Sequence, residues 1–193
     1  MNTDLKIRKS EDYKTSAWSG GTTTELFLYP PEAEYKAGDF QVRISSATVE
    51  LAKSEFTNLP GVKRYLMTLE GNLDMIHGVN TKVSLKPYEV DAFDGGIPTV
   101  SYGKVRDFNL MLKNGADGEM EGVILAEEES RSLTPEENNK LAVYVGKGEI
   151  LVGKTRVKEG ELLLLDDWKE AIELKNAVQA ETKLGICKMK IVK

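Results

Sequence analysis

The sequence predicts an all-β chain, organised as two tandem antiparallel β-barrels of the jelly-roll kind. Three observations lead there. An apolar strand, glycine, turn and second strand occur together twice. Short segments of period two recur between turn residues, the pattern of sandwiches and barrels. No stretch carries sustained helical periodicity. The first copy of the repeated unit covers residues 65–73 and 85–94, and the second covers 141–150 and 157–166. Each passes a Pro or Gly corner and closes on an apolar run that ends in Asp.

Taken in order, residues 1–17 are a leading segment in which Leu5, Lys6 and Ile7 offer an added edge strand. Trp18-Ser19-Gly20-Gly21 follows, and its glycine pair admits a tight or left-handed backbone. Thr22, Thr23, Thr24, Phe27 and Tyr29 favour a strand, which Pro30-Pro31 stops. Apolar Phe40, Val42 and Ile44 alternate with polar Gln41, Arg43 and Ser45, marking a half-buried strand. A polar loop, Phe56 and Pro60-Gly61 lead into the first copy. Beyond it, Phe108, Leu110 and Leu112 alternate with Asp107, Asn109 and Met111.

Asn114-Gly115-Ala116-Asp117-Gly118 is a corner. Residues 127–140 read as a linker between a barrel over 1–126 and a second over 141–193, the second open to completion by strands from the N-terminal part. Within the linker, Thr134, Pro135 and Glu137 have the types that cap a single helical turn. The second copy has a cupin-like spacing of strand, turn and apolar strand. Lys183, Lys188, Lys190 and Lys193 read as one face of a solvated edge strand.

Composition narrows the function. A chain of 193 residues buries a sizeable core in one or two domains. Its 26 basic and 31 acidic residues leave a net charge of −5, a poor footprint for nucleic acid. No apolar run approaches the ~20 residues that cross a membrane, and the start lacks the regions of a signal peptide. One cysteine, Cys187, excludes an internal disulfide and reads as a small buried hydrophobe. A cytoplasmic setting is expected, with no nucleic acid, membrane or cofactor as partner.

A metal-dependent cupin needs two or three histidines and a carboxylate converging on one point. This chain has one histidine, His77, expected at a hairpin turn. The count argues equally against a Ser-His-Asp or Cys-His hydrolase. No metal ligand and no catalytic residue is assigned. The candidate ligand-binding residues are Trp18, Glu25, Arg43, Ser45, Arg64, Asp107 and Asn109. Arg43 and Ser45 share one strand face, and Asp107 and Asn109 share another. If these faces line an interior, the charges must pair, because a lone buried charge is costly. They then form either a buried ion-pair network or a polar pocket in which an arginine takes a carboxylate bidentately. If they face outward, they are a solvated surface. Trp18 is either a pocket wall or a core aromatic.

The same residues carry a family resemblance. Residues 18–26, 40–47, Phe56 with 59–64, Leu69-Glu70-Gly71, Phe93-Asp94-Gly95 and 107–111 occur in that order, and the chain resembles the HutD/Ves family of the cupin superfamily over roughly residues 15–113. The resemblance implies a two-barrel cupin fold without a conserved metal. One branch is associated with histidine utilisation, where sensing of an intermediate such as formylglutamate has been suggested, and the other with stress or cold response. The matched positions include Trp18 to Glu25, Arg43 to Ser45, Arg64 and Asp107 to Asn109. The function expected is metal-independent binding of a small anionic metabolite, an acyl-amino acid such as formylglutamate, in a regulatory or buffering role. Arg43 and Arg64 would hold the anion, with Ser45 and Asn109 as hydrogen-bond partners and Glu25 and Asp107 orienting the arginines. Two alternatives stand beside it. One is a small-molecule isomerase or hydrolase using Glu25 or Asp107 as general base. The other is a protein-interaction scaffold, with a homodimer through an exposed strand edge.

Overall fold

The computed structural model describes residues 5–135, 139–166 and 168–192. They are all-β, with antiparallel pairing throughout the ladders described below. The chain divides into two compact units, one built on Tyr13–Asp117 and the other on Gly118–Ile191 together with the segment before Tyr13. The sequence reading placed this boundary at a linker over 127–140. That segment instead contains a paired strand, and the nearer division follows the Asn114–Gly118 corner. Glu136 and Glu137 of the expected helical turn lie outside the described residues, and Thr134 and Pro135 carry no regular structure.

In the first unit run β2 (Lys14–Trp18), β3 (Gly21–Tyr29), β4 (Val42–Val49), β5 (Lys53–Glu55), β6 (Lys63–Glu70), β7 (Leu73–His77), β8 (Thr81–Leu85), β9 (Val90–Asp94), β10 (Thr99–Tyr102) and β11 (Val105–Leu112). They form a six-stranded sheet of order β2-β3-β4-β11-β6-β9 and a four-stranded sheet of order β5-β10-β7-β8. The second unit holds β1 (Leu5–Arg8), β12 (Asp117–Leu125), β13 (Ser130–Leu133), β14 (Asn139–Lys147), β15 (Glu149–Val152), β16 (Thr155–Lys158), β17 (Leu162–Leu165), β18 (Ile172–Asn176) and β19 (Thr182–Lys190). Its sheets have the orders β1-β17-β14-β19-β12 and β13-β18-β15-β16.

The repeated sequence unit acquires a structural meaning here. Each copy is a strand that leaves its sheet, makes a hairpin in the opposite sheet, and returns to pair with itself. In the first copy β6 pairs β9 with the β7–β8 hairpin between them, and in the second β14 pairs β17 with β15–β16 between. The correspondence extends further. The order β4-β11-β6-β9 matches β12-β19-β14-β17, and β5-β10-β7-β8 matches β13-β18-β15-β16.

Apolar residues of both sheets meet inside each unit. In the first, Leu66, Leu73, Met75, Leu85 and Val105 pack with Val49, Phe56, Val83 and Phe93. In the second, Leu141, Val143, Ile150, Val157, Leu163, Leu174 and Ile186 form one buried cluster. The first strand, β1, carries Leu5 and Ile7 to this second cluster by pairing with β17. The lysine-bearing terminal strand is not an edge. Strand β19 lies between β14 and β12, with Cys187 and Met189 fully buried. Both faces of β19 are buried from Leu184 to Cys187, and Lys183, Lys188 and Lys190 take its partly buried and exposed positions; Lys193 lies outside the described residues.

The glycine pair of the motif at residues 18–21 works through close approach. Gly21 has φ +148°, and a Cβ there would lie 1.8 Å from the Thr48 carbonyl oxygen. A Cβ on Gly20 would lie 2.1 Å from Cζ3 of Trp18 and 2.7 Å from Cδ1 of Leu51. The indole therefore lies directly against the bare glycine backbone.

Candidate ligand-binding cavity

Strands β4, β11 and β6 are neighbours in the six-stranded sheet, and their register sets polar side chains in rows. Met111 sits between Arg43 on β4 and Arg64 on β6. Asn109 sits between Ser45 and Leu66, and Asp107 lies opposite Thr68. Side chains two apart on a strand share a face, so Arg43, Ser45, Arg64, Asp107, Asn109 and Met111 all line one cavity of about 350 Å³. That volume lies within the range of small-molecule sites. Strand β4 is buried on both faces from Val42 to Ser46, and for that reason the period-two pattern alone leaves the direction of Arg43 open.

Trp18 also lines the cavity but is 41% exposed, so it is a wall at the opening and not a core aromatic. Glu25 lies behind the lining. Its Oε2 accepts a 2.9 Å hydrogen bond from Nε of Arg43, opposite Ser45 across the β3–β4 ladder. Six of the seven predicted residues therefore share the cavity, and the seventh neutralises one of them. The prediction did not include Tyr35, Lys36, Ser54 and Phe56, which also line it. Tyr35 and Lys36 come from the loop between β3 and β4. Their one sequence signal is an aromatic and a cation inside an otherwise acidic turn.

The two arginines are in unlike states. Arg43 is paired: Glu25 takes Nε, Ser45 Oγ accepts from a terminal nitrogen at 3.2 Å, and Tyr35 covers the guanidinium at 4.0 Å. Arg64 is 6% exposed, and its guanidinium has no hydrogen-bond or ion-pair partner among the described residues. Phe56 and Phe93 flank it, 4.9 and 5.2 Å from their ring centroids. Burial lowers its pKa; the charges of Asp107 and Tyr35 oppose that effect, and the like charge of Arg43 adds to it. Cation–π contact supplies only about 0.5–2 kcal/mol and satisfies none of the N–H donors.

Asp107 shows the converse strain. Burial pushes its carboxyl up to about 6, against the pull of the Ala47 N–H and of Arg64 and Arg43. Oδ1 accepts from the Ala47 backbone at 2.9 Å, while Oδ2 has no hydrogen-bond partner among the described residues. The register of β11 against β6 shifts between Arg106 and Asp107, so an irregularity lies beside this side chain; such bulges re-aim residues next to sites. Asn109 presents a buried Oδ1 with no hydrogen-bond partner among the described residues. The cavity thus offers donors that need an anion and acceptors that need a donor.

His77 is not part of it. The residue ends β7 and is buried, so the hairpin-turn expectation is corrected by one position: the turn begins at Gly78. Thr99 Oγ1 and Asp91 Oδ2 lie 2.8 and 2.9 Å from its two ring nitrogens, and Phe93 packs against the ring at 4.6 Å. Among the described residues, no group of three or more His, Cys, Asp or Glu side chains comes together in a way that could hold a metal ion.

A family model described as HutD matches residues 10–184. Protein Ves of Citrobacter koseri is 34% identical over 98 residues, which are 48% of this chain and 49% of that protein. The match therefore spans about half the length of that curated relative. HutD from Pseudomonas fluorescens SBW25, solved in a formate condition, superposes with a TM-score of 0.76 at 17% identity, over 98% of this chain and 100% of that one. The pirin YhhW of Escherichia coli, in complex with nickel(II), superposes with a TM-score of 0.71 at 11% identity, over 97% of this chain and 100% of that one. Likenesses at these identities show a shared cupin-like jelly-roll fold.

Proposed function

The chain belongs to the HutD family, and from that premise we propose that its first unit binds a small carboxylate in the cavity around Arg64, in a regulatory or buffering role. The observation that carries this reading is the buried guanidinium of Arg64, which is held between two rings and has no hydrogen-bond partner among the described residues. A carboxylate entering the cavity would satisfy it bidentately and restore the interaction that burial removes. The neighbouring acceptors select among acids. Asn109 Oδ1 and Asp107 Oδ2 favour a ligand that also carries an N–H or O–H, as an acyl-amino acid of the formylglutamate kind does. Trp18, Phe56 and Met111 supply the apolar wall.

The structure shifts the weight between the two arginines. Arg43 already has its carboxylate in Glu25, so Arg64 is the anchor and Arg43 a fixed neighbour. Glu25 is correspondingly a poor general base, because proton transfer to it would break the pair. The test is calorimetric titration of N-formylglutamate and N-acetylated amino acids into the wild-type chain and into Arg64→Met, with circular dichroism verifying the fold of each. Losing one member of a buried charge pair costs about 2–5 kcal/mol, so affinity should fall by at least about 30-fold. Equal affinity in the two proteins, or no binding by a folded wild type, would overturn the proposal.

A further inference from the structure

In the capture of an acid Asp107 serves as a hydrogen-bond acceptor, and its placement in the cavity allows a further task. It is not a counterion in contact with an arginine, since no ion pair joins it to Arg43 or Arg64 among the described residues. Its position is nevertheless built. The Ala47 N–H fixes one carboxylate oxygen, and the Ser46 hydroxyl donates to the Asp107 backbone carbonyl at 2.6 Å. Those bonds leave Oδ2 without a hydrogen-bond partner among the described residues, in the cavity that also holds Arg64 and Asn109. An oriented carboxylate with a free oxygen, beside a guanidinium that can hold a substrate, is the geometry of a proton acceptor.

We propose that Asp107 Oδ2 abstracts the C3 proton of a 2-oxo acid whose carboxylate is held by Arg64, so that the cavity interconverts the keto and enol forms. The inference rests on the anion-binding reading above. Oδ2 takes the proton as the C3–H bond breaks. That electron pair becomes the C2–C3 double bond, and the carbonyl pair moves onto the C2 oxygen. The enolate charge develops near the guanidinium, whose fixed positive charge stabilises it. Asp107, now a carboxylic acid, returns the proton to oxygen to give the enol, or to C3 to restore the ketone. The reaction is an isomerisation and needs no co-reactant. Asn109 lies one row along the same face of the cavity. The apolar wall suits an aryl or alkyl group at C3. A carboxyl pushed up to about 6 is a stronger base than an ordinary aspartate and is still largely ionised at neutral pH.

The experiment follows the C3 protons of phenylpyruvate by proton NMR in deuterated buffer, at saturating ligand, with binding measured by calorimetry on the same samples. Wild type should accelerate exchange at least tenfold over buffer, and Asp107→Asn should return it to the buffer rate. If that variant does not fold, Asp107→Ser replaces it. Arg64→Met should lose both binding and exchange. Binding without acceleration, or exchange as fast in the Asp107 variant as in wild type, overturns the catalytic role and leaves the binding reading standing. A folded wild type that binds neither phenylpyruvate nor an acyl-amino acid overturns both.

Discussion

Replacing Asp107 by Asn should change the pH dependence of stability in a calculable way. The native carboxyl titrates at about 6 against an ordinary value of 3.8, because burial disfavours its charged form. Between those values the native state holds more protons than the unfolded chain, so wild-type stability falls as pH rises through the window and stays low above it. A shift of about two units corresponds to about 3 kcal/mol. Asn keeps an acceptor for the Ala47 N–H and carries no charge. The stability difference, variant minus wild type, should therefore grow by about 3 kcal/mol between pH 3 and pH 7.5. For a chain of this size that is about 6–12 °C in the relative melting temperature. Thermal unfolding of both proteins at half-unit pH steps measures it. Parallel curves, with the difference constant across the window, would refute the placement of a buried, unneutralised carboxylate in the cavity.

Three further outcomes follow from the same geometry. Glu25→Ala strands Arg43 without its carboxylate and should destabilise the first unit by about 3 kcal/mol in urea unfolding, where an outward-facing pair would cost under about 1 kcal/mol. Gly21→Ala drives a Cβ into the Thr48 carbonyl and should cost more than about 4 kcal/mol; wild-type stability would mean the β3–β4 register is wrong. His77→Ala removes a ring bonded at both nitrogens and packed on Phe93. It should cost about 3 kcal/mol by chemical denaturation while leaving carboxylate binding within a few-fold, and loss of binding alone would place His77 in the site.

Much of the cavity can be read from alternation. Asp107, Asn109 and Met111 share a face of β11, as Arg43 and Ser45 do on β4, and period two is enough to say so. The direction of those faces is not legible, because β4 is buried on both sides and carries no amphipathic signal. The state of each arginine is equally hidden. Arg43 and Arg64 look alike in sequence, and only the register that brings Glu25 beside Ser45 separates the paired one from the unpaired one. Tyr35 and Lys36 enter from a loop, where side-chain direction has no period. The strands that join the second unit are hard to see in the sequence: β1 finds its partner β17 from far away, and the acidic run after Leu125 conceals β13, which pairs with β18 through Leu133 and its neighbours. The repeat was visible as two matching strand pairs, whereas the hairpin each pair encloses became clear only from the pairing itself.

On the proposed reading Arg64, buried and without a hydrogen-bond partner among the described residues, receives the carboxylate of the ligand. Its Nε–H resonance tests this directly, observed by nitrogen–proton correlation NMR while an N-acyl amino acid is titrated in. A downfield proton shift and slowed solvent exchange are expected at Arg64, saturating with the calorimetric isotherm, while Arg43 Nε, already bonded to Glu25, changes little. Saturable binding that leaves the Arg64 signal unmoved, or that moves Arg43 instead, would contradict it.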